Sequence, residues 1–150
     1  MAKAINMLSI RQMTIGDYEE VFGLLRETPG VVVRDADSKE AVTRYLERNP
    51  GLSFVAVESG RIVGCIMSGH DARRGYLQHL AVADGFRRQG IGKVLVEKCL
   101  EGLQKEGILK SHIDVLAANE MAALFWEKIG WKRRYDICRY SFIRKGNQNA

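Results

Sequence analysis

The first half of the 150-residue chain changes its apolar period twice, from alternation to helical spacing and back to alternation. "LSIRQM" alternates and predicts a first strand, whereas "GDYEEVFGLLRETP" and "DSKEAVTRYLERNPG" carry apolar residues at helical spacing. Asp37 or Ser38 caps the second of these helices. Three strand patterns follow, in "LSFVAVE", "RIVGCIMSG" and "RGYLQHLAV", and a Ser-Gly turn joins the first two.

The second half predicts a strand between two helices. A helix is expected over about 90–106, a strand in "SHIDVLA", a helix over 119–129, and two last strands around Tyr135 and in "CRYSFIR". A meander leading into strand-helix-strand predicts an α/β protein with a mixed sheet and helices on both faces. The long helix should bury a broad stripe formed by Ile91, Leu95, Val96, Cys99, Leu100 and Leu103.

Composition narrows the class of protein. With 46% hydrophobic and 27% charged residues, the chain is expected to form one soluble domain over 1–150, with a core at about 8–143 and a frayed polar tail at 145–150. It has neither an 18-residue apolar run nor an apolar N-terminal segment, which favours a cytoplasmic protein without a membrane partner. Three widely spaced cysteines, Cys65, Cys99 and Cys138, indicate core positions in a reducing compartment and no metal site.

Positive charge is clustered although the net charge is only +5. Such clusters suggest anionic partners, from nucleic acid to a phosphorylated cofactor. The clusters are Arg73-Arg74, Arg87-Arg88 with Lys93, Lys132-Arg133-Arg134, and Arg144-Lys145.

The segment "VADGFRRQGIGKV" combines one of these clusters with two glycines at a predicted helix start. Gly90 and Gly92 would let a diphosphate approach the first helical N–H groups, where the helix dipole is positive. Leu95 stands where the dinucleotide fingerprint needs a glycine, and Ile91 where the P-loop needs a lysine. By itself, the segment favours a tight turn that carries a solvated basic face.

Two motifs together resemble a known family. "FRRQGIG", preceded by "HLAV", resembles the R/Q-x-x-G-x-G/A signature of the GNAT superfamily of acetyl-CoA-dependent N-acetyltransferases. "NEMAALFWEKIGW" is similar to the family's N-x-x-A-x-x-L-Y-x-x-x-G-F segment. The likeness runs from about Leu8 to Ile143 and is closest in motif to the bacterial ribosomal-protein N-terminal acetyltransferase branch. It implies a mostly antiparallel central sheet of about six to seven strands.

The resemblance also implies a cofactor site for acetyl-CoA. The backbone of Leu80, Ala81 and Val82 would receive the pantetheine arm and the acetyl carbonyl, and Asn119 would lie beside the thioester. Asn119 also fits a plain helix N-cap. The pyrophosphate would be wrapped by Arg87, Arg88, Gln89, Gly90, Ile91, Gly92 and Lys93.

Trp126 stands where the family has a tyrosine proposed to protonate the leaving thiolate. An indole N–H donates a hydrogen bond but cannot deliver a proton at neutral pH. Trp126 is therefore expected to pack or to form a wall of the site, with Phe125 in the core. Water, Tyr135 or Tyr140 would then protonate the thiolate.

The resemblance nominates Asp114 as the base, with a structural hydrogen bond as its alternative role. A base matters because a lysine-like amine must lose its proton at a cost of roughly 4.6 kcal/mol at pH 7. Strand parity places Tyr76 and Gln78 on one face and His79 on the other. Tyr76, a candidate catalytic residue, and Gln78 would therefore line the acceptor cleft, and His79 would be a packed strand residue.

The sequence thus predicts an N-acetyltransferase that uses acetyl-CoA and acts on a primary amine of a small molecule, peptide or protein. Two other classes stay open, a CoA-binding regulatory module without turnover and a basic nucleic-acid-binding domain. Nucleic acid is not the expected partner of an enzyme of this kind. The chain is expected to be a monomer or a homodimer.

Overall fold

The computed structural model describes residues 8–150 as a five-stranded sheet with four α-helices. Short 3₁₀ turns at Ile15–Asp17 and Asp35–Asp37 precede the first two helices. In chain order the elements are β1 (Leu8–Gln12), α1 (Tyr18–Glu27), α2 (Lys39–Arg48), β2 (Phe54–Glu58), β3 (Arg61–His70), β4 (Gly75–Val82), α3 (Ile91–Lys105), β5 (Ser111–Ile113) and α4 (Glu120–Lys128).

The sheet is mixed and mostly antiparallel, as predicted. Its strand order is β1-β2-β3-β4-β5, and only the β4–β5 pair is parallel. Because β4 and β5 are parallel, α3 serves as the crossover between them.

Helices cover both faces of the sheet, which confirms the predicted layers. On one face α3 buries the predicted stripe, with Leu95, Cys99 and Leu103 fully inaccessible. On the other face α1 buries Phe22 and Leu25 completely. Burial of each such large apolar side chain contributes about 1.5–3 kcal/mol, so the two clusters hold the sheet between them.

The two predicted C-terminal strands are wrong. No strand follows α4 within the described residues, and β5 spans three residues instead of the whole "SHIDVLA". Tyr135, Tyr140 and Phe142 are 83%, 94% and 83% exposed, respectively. An alternating apolar segment becomes a strand only when a neighbouring strand completes its hydrogen bonds, and this segment pairs with none in residues 8–150.

The polar tail is bound, although it was predicted to fray. The backbone N–H of Asp35 donates to the carbonyl of Asn149 (2.9 Å), and the Asn149 amide donates back to the Asp35 carboxylate (2.7 Å). The Arg34 guanidinium donates to the carbonyl of Gln148 (2.9 Å). These bonds tie the C-terminus to the turn that precedes α2.

The cysteines divide into two groups. Cys65 and Cys99 are buried, and burial raises the pKa of each thiol to about 12. Cys138 is exposed, so its predicted core position is wrong. Its segment lies outside both apolar clusters, although its sequence neighbours include apolar residues.

Residues 8–150 contain neither a candidate membrane span nor a candidate metal site. None of the helices there is both long and apolar enough to cross a bilayer. No group of three or more His, Cys, Asp or Glu side chains in that range is placed to hold a metal ion.

Candidate active site

The edge of β4 that faces β5 is open over half of its length. β4 pairs with β3 from Gly75 to Val82, but with β5 only from Gly75 to Leu77. Beyond Leu77 its backbone groups have no ladder partner on the β5 side in the described structure. Such an edge can accept an extended ligand by hydrogen bonding, in the way that a sheet accepts a further strand. The predicted pantetheine residues Leu80, Ala81 and Val82 all lie on this open stretch.

A β-bulge interrupts β4 at the point where the edge opens. Met67 of β3 is opposite Gln78 and Cys65 is opposite Ala81, so that His79 and Leu80 both face the single residue Ile66. His79 has a φ of 55°, which lies in the left-handed region that side chains rarely adopt. The bulge turns the His79 side chain towards α1, and strand parity beyond this residue is reversed. The prediction that His79 faces away from Gln78 is therefore wrong, because both lie on the side of α1 and α2.

The start of α3 is built to leave its first N–H groups available. Gly90, with a φ of 82°, is the N-cap residue and has no side chain to cap the helix, and the first turn holds no acidic residue. A Cβ on Gly90 would meet no atom within 4 Å, so the space before the helix is open. Ile91 is buried in the core, which leaves only its backbone for a ligand. This arrangement favours a bound anion.

The basic side chains of this loop are exposed. Arg87 donates from Nε to the carbonyl of Val82 (2.9 Å), and Gln89 donates to the carbonyl of Gly85 (3.3 Å). Arg88 and Lys93 make neither an ion pair nor a hydrogen bond with any residue of 8–150. Their uncompensated charge lies next to the open helix start, and it would attract a phosphorylated ligand.

Asn119 has the predicted capping role. Its Oδ1 accepts from the backbone N–H of Ala122 (3.1 Å) at the start of α4. Its amide nitrogen lies against Gly30 in the loop after α1, where a Cβ would be 2.1 Å from Nδ2. Asn119 thus joins α4 to that loop in addition to capping the helix.

The burial of the two adjacent aromatic rings, Phe125 and Trp126, differs from the prediction. Trp126 is 6% exposed and lies in the core cluster, in edge contact with Trp131 at 4.7 Å. Phe125 is half-buried, and a Cβ on Gly92 would be 3.3 Å from its ring. The half-buried ring therefore contacts the start of α3, and the predicted core position of Phe125 belongs to Trp126 instead. Neighbouring residues on a helix point about 100° apart, so the two rings face different surroundings.

The two predicted catalytic residues lie near β5 and are both exposed. Tyr76 is 41% exposed, and its ring is 5.9 Å from that of His112 on β5. Asp114 follows β5, and both of its carboxylate oxygens lie 2.9 Å from the Arg139 guanidinium. To accept a proton, Asp114 would have to leave this ion pair.

A cleft of about 800 Å³ lies between α2 and β4. Its lining carries both signs of charge and the phenol of Tyr45, whose pKa is raised to about 12 by burial. The lining residues are Ala36, Asp37, Ala41, Arg44, Tyr45, Glu47, Arg48, Met67 and Gln78. Gln78 lines this cleft, on the face of β4 that the family resemblance assigns to the acceptor.

His79 and Asp37 form a hydrogen-bonded pair at the edge of this cleft, and sequence reasoning missed this contact. His79 Nε2 is 2.8 Å from Asp37 Oδ1. Ser38 caps α2 by accepting from the Ala41 N–H (3.2 Å), so the capping alternative for Asp37 is excluded and its carboxylate is available to His79. The two residues are 42 positions apart in sequence, and nothing in the sequence signals the contact. The bulge that creates it has no periodic signature either.

Comparison with known proteins supports membership of the acetyltransferase (GNAT) family. Residues 18–131 match the acetyltransferase (GNAT) family. An acetyltransferase of Yersinia enterocolitica is 32% identical over 130 residues, which cover 87% of this chain and 92% of that protein. N-alpha-acetyltransferase 30 of Schizosaccharomyces pombe is 29% identical, over 69% of this chain and 72% of its own.

The fold is shared with a solved structure. The structure of PaiA N-acetyltransferase from Thermoplasma acidophilum in complex with coenzyme A superposes with a TM-score of 0.74 at 24% identity, covering 83% of this chain and 89% of that one. The open β4 edge and the uncapped start of α3 thus belong to an acyl-group transferase. The chain belongs to the acetyltransferase (GNAT) family and is an acetyltransferase.

Proposed function

We propose that the protein transfers the acetyl group of acetyl-CoA to a primary amine of a small molecule or a peptide. The observation that carries this proposal is the continuity between the open edge of β4 and the uncapped start of α3. An extended pantetheine arm along Leu80, Ala81 and Val82 would bring a diphosphate to the N–H groups that follow Gly90. Arg88 and Lys93 would neutralise that diphosphate, since neither has a partner in the described structure.

On this proposal the acceptor enters from the α2 side of β4. The cleft there is large enough for an amine-bearing side chain or a small polyamine, and its lining carries Asp37 and Glu47 as acidic residues. Tyr76 contributes to the same face of β4 and would border the acceptor. Asp114, which the family resemblance nominates as the base, is paired with Arg139 and would first have to leave that ion pair.

Leaving-group chemistry does not require a protein acid. A thiol with an ordinary pKa near 8.5 departs as thiolate with little assistance. Trp126 is buried and has no ionisable proton, so the proposal assigns it packing beneath the cofactor and assigns protonation of the thiolate to water.

Two measurements test the proposal. Calorimetry in moderate salt should detect acetyl-CoA binding, and a thiol-release assay with a panel of small amines and unblocked peptides should detect turnover. Binding without any thiol release would identify a CoA-binding module without turnover. If millimolar acetyl-CoA does not bind while nucleic acid binds with a steep salt dependence, the basic loop serves nucleic acid instead.

A further inference from the structure

His79 is held in a conformation that a strand residue would normally avoid. Its φ of 55° and the two-against-one bulge opposite Ile66 cost free energy that a regular strand would not. Bulges re-aim side chains beside active sites, and here the re-aimed side chain is an imidazole. Strain maintained at such a position indicates a functional role for the side chain that it orients.

The partner of His79 is itself fixed from several sides. The Asp37 carboxylate accepts from His79 through Oδ1 (2.8 Å) and from the backbone N–H of Arg34 through Oδ2 (2.9 Å). Its backbone carbonyl accepts from the hydroxyl of Tyr18 (2.6 Å). The imidazole meets Phe22 edge-on, with ring centroids 5.8 Å apart. The His79 and Asp37 side chains are 12% and 14% exposed, so the pair is rigid and mostly shielded from water.

The protonation pattern of the pair follows from its contacts. Burial tends to raise the pKa of Asp37, but the hydrogen bonds from His79 and from the Arg34 backbone outweigh it and the pKa is lowered. Asp37 is therefore an ionised carboxylate and can only accept, so Nε2 of His79 must carry the hydrogen. The lone pair of the neutral ring is then on Nδ1, which makes no hydrogen bond with any residue of 8–150. A general base has this arrangement, in which one ring nitrogen donates to a carboxylate and the other has a lone pair that can accept a proton.

We propose that His79, oriented by Asp37, is the base that takes the proton from the acceptor's ammonium group. This inference rests on the proposed acetyl transfer. The acceptor cleft is lined by Asp37 and by Gln78, the residue before His79, and the proposed acetyl-binding residues Leu80 to Val82 follow directly. Along β4, His79 thus stands between a residue that lines the cleft and the proposed acetyl-binding residues, and its partner Asp37 lines the cleft.

The proposed reaction conserves atoms and charge. Nδ1 of His79 accepts one proton from R–NH₃⁺, and the resulting lone pair of R–NH₂ attacks the thioester carbonyl carbon. The C–N bond forms and the C–S bond breaks, which leaves the CoA thiolate. The amide nitrogen loses its second proton to the thiolate through water, and His79 returns its proton to solvent. The net products are R–NH–acetyl, CoA thiol and one proton.

Other groups near His79 are less suited to this role. From the elements packed around it the titratable groups are Tyr18 on α1, Asp37 on the turn before α2, and the buried thiol of Cys65 on β3, which donates to the His79 carbonyl (3.4 Å). The charged groups of the cleft are Arg44, Glu47 and Arg48 on α2. Imidazole is the side chain that takes up and releases a proton near neutral pH.

The test compares His79→Ala and His79→Gln with the parent. The acceptors are short peptides with a free α-amino group and Nα-acetyl-lysine. Loss of a general base typically lowers kcat by 10²–10⁴, so we expect at least a hundredfold loss in both variants, with acetyl-CoA affinity unchanged within twofold. Added imidazole should restore His79→Ala at least tenfold, because the cavity left by the ring can admit a free base. The glutamine variant keeps an N–H for Asp37 and carries the test if the alanine variant does not fold.

His70→Ala is the matched control. His70 ends β3 and pairs with the Glu106 carboxylate at 2.9 Å, so it is a second histidine–carboxylate pair outside the cleft. Its substitution should change kcat less than threefold. Asp37→Asn should lower kcat and should move the acidic limb of the kcat/KM profile to lower pH, because a neutral neighbour no longer favours the protonated imidazole.

Two outcomes overturn the inference. One is a His79 variant that keeps kcat within threefold of the parent. The other is a loss of kcat in His79→Ala without rescue by imidazole and with a pH profile unchanged in Asp37→Asn, which would make the pair structural. If the parent neither binds acetyl-CoA nor releases thiol, acetyl transfer itself fails, and this result is visible before any variant is made.

Discussion

The side-chain amide of Asn119 lies directly against the Cα of Gly30, so that the start of α4 meets the loop after α1. The contact is possible because residue 30 has no side chain, and Gly30 has a φ of 83°. One asparagine therefore caps a helix with its oxygen and supports a loop with its nitrogen.

Gly30→Ala should displace the Asn119 amide and weaken acetyl-CoA binding about tenfold, because the new Cβ would overlap Nδ2 at 2.1 Å. The left-handed backbone adds a stability cost of about 1–2 kcal/mol. Gly60→Ala is the matched control, since Gly60 has a φ of 77° and nothing within 4 Å of a Cβ. Urea denaturation should show the left-handed backbone cost in both variants and an added cost in Gly30→Ala from the overlap with Asn119, and calorimetry should show an affinity loss for Gly30→Ala alone. Equal acetyl-CoA affinities of the two variants would show that Asn119 does not take part in cofactor binding.

Gly90→Glu should abolish acetyl-CoA binding while the protein still folds. The substitution places bulk and negative charge at the uncapped start of α3, where the diphosphate is proposed to lie. Gly107→Glu introduces the same residue just beyond the other end of α3, at a φ of 83° and with open space around a Cβ. Calorimetry should find binding in the Gly107 variant and none in the Gly90 variant. Undiminished binding in both would place the site elsewhere.

Trp126→Phe should keep turnover within about tenfold, because the indole has no proton to deliver and its substitution removes no titratable group. The smaller ring should still destabilise the core by about 1–3 kcal/mol. Trp131→Phe, at the other side of the same contact, is the control. A thousandfold loss of kcat in the Trp126 variant alone, at unchanged acetyl-CoA affinity, would show that the indole N–H is needed in the transition state.

Asp17 should make folding stability fall in acid. Its pKa is lowered by the hydrogen bonds from Arg11 (2.8 and 2.9 Å) and from the Thr14 backbone, against the opposing effect of burial. A lowered folded-state pKa contributes stability above the unfolded value of about 3.9, and this contribution is lost as pH falls through the folded value.

Asp17→Asn should therefore cost about 1–2 kcal/mol at pH 7, a range that allows for the half-exposed Arg11, and clearly less at pH 2 to 3. Urea denaturation at both pH values measures this gap, which is the difference in the free energy of unfolding between variant and parent. Asp84→Asn, an exposed carboxylate without a hydrogen bond in the described structure, should show no such gap. If the gap for Asp17→Asn does not narrow in acid, protonation of Asp17 is not what lowers stability there.

Periodicity predicted the elements whose shape depends on local burial. The stripe on α3, the first four strands and the two-sided packing of the sheet all follow from apolar spacing, because a helix or strand must bury one face wherever it lies. The glycine-rich start of α3 was also readable, because the uncapped N–H groups and the nearby basic residues are adjacent in sequence. The branch of the family and the compartment remain predictions.

Tertiary structure decided everything that depends on a neighbour distant in the chain. The segment after α4 alternates like a strand, yet residues 132–145 have no ladder partner, and a strand cannot exist without one. Parity failed at His79 because a bulge is a property of two strands paired out of step, and neither strand alone records it. The His79–Asp37 pair needed that bulge together with the turn before α2. Sequence by itself therefore determined the family and the glycine-rich start of α3, whereas the pairing of β3 with β4 decided that the His79 side chain turns towards α1 and Asp37.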